Sequence, residues 1–270
     1  MPARESHNYS RIDRPEINTV LFYPRRDSVC LTANQYVKEV MIPVGAGGAV
    51  SSLWAETKKS SATILFFHGN GELASEYIDI ARLFLQMDIR FICVDYRGYG
   101  RSSGIPAIRL MMEDAHDILE HVSSQINKKE ELLVIMGRSL GCASALEIAS
   151  VYGDQIDGLI IESGFAETLP LLRTLGADPD YLKIGEEDGF ANKEKIKSFS
   201  KPLLIIHAEN DWLIPVRQAE KLFAAANSRQ KKFLKIPNAG HNDILFTGMK
   251  AYLAAVNELM KAAARWKTAD

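Results

Sequence analysis

Residues 131–151 read ELLVIMGRSLGCASALEIASV. An apolar run over 132–136 meets Gly137-Arg138-Ser139-Leu140-Gly141, and a stretch rich in small residues follows at helical spacing. A serine hydroxyl can stand above the end of a sheet only if the chain turns sharply from strand to helix. The serine then sits in a strained backbone conformation. Side chains two positions to either side would collide, so Gly137 and Gly141 are the residues this turn requires. The helix that starts there also aims backbone N–H groups at the serine.

A serine nucleophile needs a base, and the base needs an acid to orient it. Six histidines are available. His7 lies in a polar N-terminal stretch. His116 and His121 fall within one helical pattern on different faces. His68 and His207 end apolar runs, where an imidazole holds loop backbone. His241 lies in PNAGHND, a glycine-bearing loop between the last strand-like run and the last helical one, which suits a base. The run PLLIIHA leads into ENDWLIP, which offers Glu209 and Asp211. Asp211 is the favoured acid, and Glu162, ending GLIIES, is the alternative. A loop aspartate near a helix start also has an ordinary role as an N-cap.

Outward from this core the chain alternates. The runs VKEVMIPV and AVSSLWAE, joined through Gly45, Gly47 and Gly48, predict an antiparallel hairpin. ATILFFH, FICVD, ELLVIMG, GLIIES, PLLIIHA and KKFLKIP predict six more strands, most of them continuously apolar as strands covered on both faces are. Helices are expected over 72–86, 107–126, 140–151 and 243–266. The sum is an α/β protein with a mostly parallel eight-stranded sheet and helices on both faces, whose chemistry belongs beyond the C-terminal strand ends.

The order Ser139, Asp211, His241, together with FFHGNG, VDYRGYGRSSG, GRSLG, HAENDWLIP and AGHNDI, resembles the α/β-hydrolase fold of serine hydrolases from about Val37 to the last helix. The set is similar to the single-domain esterase and thioesterase branch that includes protein depalmitoylases. The resemblance implies a nucleophile Ser139, an acid Asp211 and a base His241. It also implies an oxyanion hole of two backbone N–H groups, matching Asn70 and Leu140. Ala208 stands where that family usually has glycine. Depalmitoylases commonly carry a lipidated, cysteine-rich N-terminus, and this sequence has only Cys30 there. Peptidase relatives add a large N-terminal propeller for which this chain has no room, so an ester or thioester ranks above a peptide as substrate.

The expected organisation is an N-terminal arm over 1–36, with VLFYP apolar enough to dock, and a hydrolase domain over 37–270. A short cap over about 166–200 contains ETLPLLRTLG as one short helix and GEEDG as a solvated loop. The 270 residues, 47% hydrophobic and 24% charged, match an ordinary soluble protein. A formal charge of -2 leaves no electrostatic footprint for nucleic acid. Cys30, Cys93 and Cys142 show no C-x-x-C spacing and read as buried small apolar groups. No H-E-x-x-H or close His/Cys cluster suggests a metal. The polar N-terminus lacks a signal-peptide core, and no apolar run is long enough for a membrane span. The expectation is a cytoplasmic enzyme that needs no cofactor and acts on a small-molecule or acyl-group substrate.

One motif points elsewhere. Gly69-Asn70-Gly71-Glu72-Leu73-Ala74 fits the G-x-G-x-x-G/A turn of a dinucleotide fold, and Asp95 ends the next strand where such a fold keeps its ribose-binding acid. An NAD(P)-dependent oxidoreductase is therefore a rival reading, as is a catalytically silent binding module. Against the dinucleotide, Glu72 would repel a pyrophosphate. Asp95 is then expected to be a structural residue of the DYRGYGRS turn.

Overall fold

The computed structural model describes residues 7–27, 36–127 and 129–269. Its strands are β1 (Val37–Val44), β2 (Gly48–Ala55), β3 (Ala62–Phe67), β4 (Ile89–Val94), β5 (Leu132–Arg138), β6 (Gly158–Glu162), β7 (Leu203–Ala208) and β8 (Lys231–Ile236). They form one sheet in the order β1-β2-β4-β3-β5-β6-β7-β8. The β1–β2 and β2–β4 pairs are antiparallel and every other pair is parallel. The glycine-rich hairpin thus builds one edge. Strand β3 does not pair with β2, which precedes it. It inserts between β4 and β5, so the Gly69 loop comes to lie beside the Ser139 turn.

The helices are α1 (Pro15–Leu21), α2 (Ile78–Leu85), α3 (Ile108–Gln125), α4 (Gly141–Tyr152), α5 (Thr168–Thr174), α6 (Asn192–Ser198), α7 (Arg217–Ala225) and α8 (Ile244–Ala269). The expected helix over 72–86 starts late. A 3-10 turn, Ala74–Tyr77, intervenes because the Leu73 N–H is capped by the Glu76 carboxylate at 3.1 Å. Helix α8 breaks its helical geometry at Gly248, where an added Cβ would press into the Ile236 side chain.

Alternate side chains of the central strands feed two cores. One holds Phe66, Phe84, Phe91, Met136, Ile244 and Tyr252, under α2 and α8. The other lies under α3, α4 and α6, and it includes Tyr9, Ile12, Ile17, Leu21 and Phe22 of the arm. Helix α1 was not expected from the sequence. Pro15 at its first turn presets the backbone, and only Ile17 and Leu21 are buried, too short a pattern to recognise.

The arm is also tied down by polar groups. Glu147 of α4 accepts from Tyr9 Oη at 2.9 Å and from Lys195 Nζ at 2.6 Å, with His116 Nε2 3.4 Å away. Burial works to raise this carboxyl, but the bonds and charge of His116, Lys195 and Tyr9 outweigh it and hold it down to about 2.

The GEEDG segment is not a solvated loop. Glu186 folds back onto the start of α5, its carboxylate accepting from Thr168 N and from Leu169 N at 3.0 Å. A carboxylate on the orphan N–H groups of a helix start satisfies them and complements the dipole. Cys93 and Cys142 are buried free thiols, each pushed well above the usual range by burial, while Cys30 lies outside the described residues. No helix among the described residues is long and apolar enough to cross a membrane.

Candidate active site

Ser139 follows the last residue of β5 and has φ +52°, the left-handed conformation an L-residue adopts only under constraint. Its N–H is held by the Glu162 carbonyl at 2.9 Å. A Cβ on Gly137 would strike the Gly141 carbonyl, and one on Gly141 would strike the carbonyls of Phe67 and His68. Both glycines are therefore required by close backbone approach, Gly141 by the neighbouring strand β3.

His241 Nε2 lies 3.1 Å from Ser139 Oγ, and His241 Nδ1 lies 2.7 Å from Asp211 Oδ2. All three side chains are buried. The other Asp211 oxygen accepts from the N–H groups of Leu213 at 3.0 Å and Ile214 at 2.8 Å. Burial alone would raise this carboxyl. His207, His241 and the Ile214 N–H outweigh burial and hold it far below the usual carboxylate range. It stays ionised and acceptor-only, so it orients the imidazole.

Glu162 is bound elsewhere. It accepts from Arg138 Nε at 3.1 Å and from Tyr252 Oη at 2.6 Å. His207 Nε2 bonds the Ile214 carbonyl at 2.7 Å, and His68 Nδ1 meets the Gly69 carbonyl at 2.8 Å, both within loop backbone. His116 is buried and partnered by Glu147 and Tyr152.

The glycine loop after β3 passes beside Ser139. Among the described residues, neither the Asn70 N–H nor the Leu140 N–H has a hydrogen-bond acceptor. The Asn70 side chain is fixed, its Oδ1 accepting from Tyr23 N and Tyr99 Oη, each at 2.7 Å. The Gly69 N–H is already taken by Glu72 Oε2 at 2.7 Å, which fills the place a pyrophosphate oxygen would need. Asp95 bridges Ala74 N at 2.9 Å and Ser51 Oγ at 2.6 Å, a structural use.

Arg138 is the residue that sequence reasoning passed over. Its Nη2 donates to the His241 carbonyl at 2.8 Å and to Asn242 Oδ1 at 3.1 Å. Its Nη1 pairs with Glu72, and its Nε with Glu162. One guanidinium therefore joins the serine turn to the Gly69 loop, the end of β6 and the His241 loop. The signal was present as a charge inside an otherwise apolar turn, because a buried arginine requires several acceptors. The Ser139 cleft, about 190 Å³, is walled by Leu140, Leu171, Leu175, Trp212 and Leu213 and by Leu21 of the arm. Neither Leu21 nor Trp212 had been singled out.

Comparison with known proteins gives the relationship. The family model described as "Serine aminopeptidase, S33" matches residues 58–175. The Saccharomyces cerevisiae protein named "Uncharacterized membrane protein YNL320W" is 30% identical over 196 residues, 70% of this chain and 68% of that protein. The chain belongs to the α/β-hydrolase family. This α/β-hydrolase is also 28% identical to "Protein bem46" of Schizosaccharomyces pombe over 194 residues, 71% of its own length and 65% of the relative's. Among solved structures, an esterase of Pyrococcus furiosus superposes with a TM-score of 0.70 at 17% identity, over 89% of this chain and 97% of the other. That likeness is one of fold.

Proposed function

We propose that this α/β-hydrolase is a serine hydrolase that cleaves a carboxylic ester or thioester through an acyl-enzyme. The observation that carries the reading is the Ser139–His241–Asp211 hydrogen-bond chain, 3.1 Å and then 2.7 Å. His241 Nε2 takes the Ser139 proton as Oγ bonds to the acyl carbon, and Asp211 stabilises the imidazolium that forms. The carbonyl oxygen becomes an oxyanion held by the N–H groups of Asn70 and Leu140, each worth about 3–4 kcal/mol in the transition state. The tetrahedral centre collapses, the C–O or C–S bond breaks, and His241 gives its proton to the leaving alkoxide or thiolate. Water then attacks the acyl-serine with His241 again as base. The carboxylic acid leaves and Ser139 regains its proton.

Asn70 suits its role because Tyr23 and Tyr99 bind its side chain, which turns the loop backbone into a fixed donor. The mechanism calls on no cofactor. The short cap, α5 with its Glu186 clasp, supplies Leu171 to the wall of a small cleft, which has room at Ser139 for the reacting carbonyl and its immediate substituents.

The test is labelling with a fluorophosphonate probe, followed by turnover of p-nitrophenyl esters and acyl thioesters. Wild type is expected to label at Ser139 and to turn over at least one series, and Ser139→Ala to do neither. Equal labelling of the Ser139→Ala variant would sink the assignment. Fluorescence quenching by NADH, with no ester turnover, would favour the oxidoreductase instead.

A further inference from the structure

A second cavity, about 400 Å³, lies on the α2–α8 side of the sheet. Its floor is Phe66, Phe84, Phe91, Met136 and Tyr252, and Ile80 and Leu245 stand at its sides. Asn70, Glu72, Arg138 and Asn242 line both this cavity and the Ser139 cleft. The two spaces therefore meet along one ridge, made of the Arg138–Glu72 ion pair and two asparagines. The outer rim carries Arg25 and Glu76, paired at 2.7 Å.

We infer that this cavity is the subsite for an unbranched alkyl chain of the substrate, reached across the Arg138–Glu72 ridge from the carbonyl at Ser139. The inference rests on the esterase reading and adds the substrate class.

Three observations support it. The cleft at Ser139 is smaller than the roughly 300–1,000 Å³ of typical small-molecule sites, so it holds the reacting group and little else. The adjoining cavity falls within that range and has an aromatic floor. Its charged groups pair with one another, Arg25 with Glu76 and Arg138 with Glu72 and Glu162. Tyr77 Oη donates to Glu72 and Tyr252 Oη donates to Glu162, and burial pushes both phenols well above their usual range, so they remain neutral donors. Paired charges offer little to an ionised ligand, so the apolar side chains of the lining, with half-buried Ile80 and Leu245 among them, favour an alkyl group over a charged one. Each methylene moved from water onto such a surface contributes about 0.8 kcal/mol.

The chain could belong to the acyl group or to the leaving alcohol, and two ester series separate these. One varies the acid of p-nitrophenyl esters from acetyl to dodecanoyl. The other varies the alcohol of acetate esters over the same lengths. Both are run on wild type, Ile80→Trp and Leu245→Trp, which fill the cavity from half-buried positions outside the triad. In wild type kcat/KM should rise with length in one series. In the variants it should fall about tenfold or more for the longest member, with the shortest ester unchanged. Profiles that rise in neither series, or that are identical in all three proteins, overturn the proposal.

Laurate binding by calorimetry separates this outcome from a failed esterase reading. Uptake by Ser139→Ala that is lost in the double variant Ser139→Ala/Ile80→Trp supports the subsite even if no ester is hydrolysed. No uptake by either protein, with no effect of chain length, rejects it.

Discussion

Arg138 Nη2 donates to the main-chain carbonyl of His241 at 2.8 Å, joining residues 103 positions apart in the sequence. The residue before the proposed nucleophile thus fixes the loop that carries the proposed base. Positioning of this kind acts on the transition state more than on ground-state binding. Arg138→Lys is expected to lower kcat by roughly 10- to 100-fold with KM little changed. Steady-state kinetics on a short ester checks the split. A rise in KM with kcat unchanged would point to altered binding instead. Arg138→Met leaves Glu72 and Glu162 without their cation and should lower stability by roughly 3 kcal/mol, read from urea unfolding.

The strain at Ser139 gives a prediction opposite in sign for stability and for activity. Glycine adopts φ +52° without the Cβ penalty. Ser139→Gly should abolish turnover, roughly 10⁶-fold, while raising unfolding stability by up to ~1 kcal/mol. Denaturant midpoints of wild type and variant decide it.

Gly141 touches the β3 backbone so closely that any side chain must displace it. Gly141→Ala should cost ~1–3 kcal/mol and should disturb the Leu140 N–H beside it. A thermal shift measured with the rate on a short ester tests both effects. An unchanged melting point would mean that the turn can relax.

Asp211 is held ionised in the folded protein, so it orients His241 across the whole neutral range. Asp211→Asn keeps the shape but offers the imidazole an amide. By analogy with other triads kcat should fall by roughly 10⁴-fold at neutral pH. Circular dichroism that matches wild type would show that the loss is chemical.

Glu147 predicts how the fold responds to acid. Its folded value, about 2, lies below the ordinary 4.5. A depressed carboxyl contributes stability above its unfolded value and loses it as pH falls through the folded one. Between pH 4.5 and about 2 the protein should lose roughly 3 kcal/mol from this group. Glu147→Gln should be less stable at neutral pH and show a flatter decline over that window. Urea unfolding at a series of pH values measures both.

The sequence by itself determined the strand–turn–helix at Ser139, the eight strands and the loops that carry Asp211 and His241. Those features are local. Glycine spacing at a sharp turn and continuous apolar runs are written in neighbouring residues. Only the tertiary structure decided what local pattern cannot hold. Strand β3 pairs with β4 and β5, which brings the Gly69 loop against the serine turn. Glu162, a plausible acid on paper, is bound by Arg138 and Tyr252, while Asp211 reaches His241. GEEDG, polar enough to pass for a solvated loop, clasps α5 because a helix start needs acceptors wherever the chain can supply them. Leu21, from an arm that the sequence showed only as apolar enough to dock, walls the cleft. A buried charge or an orphan N–H states that it needs a partner, and only the folded chain determines which distant residue meets that need.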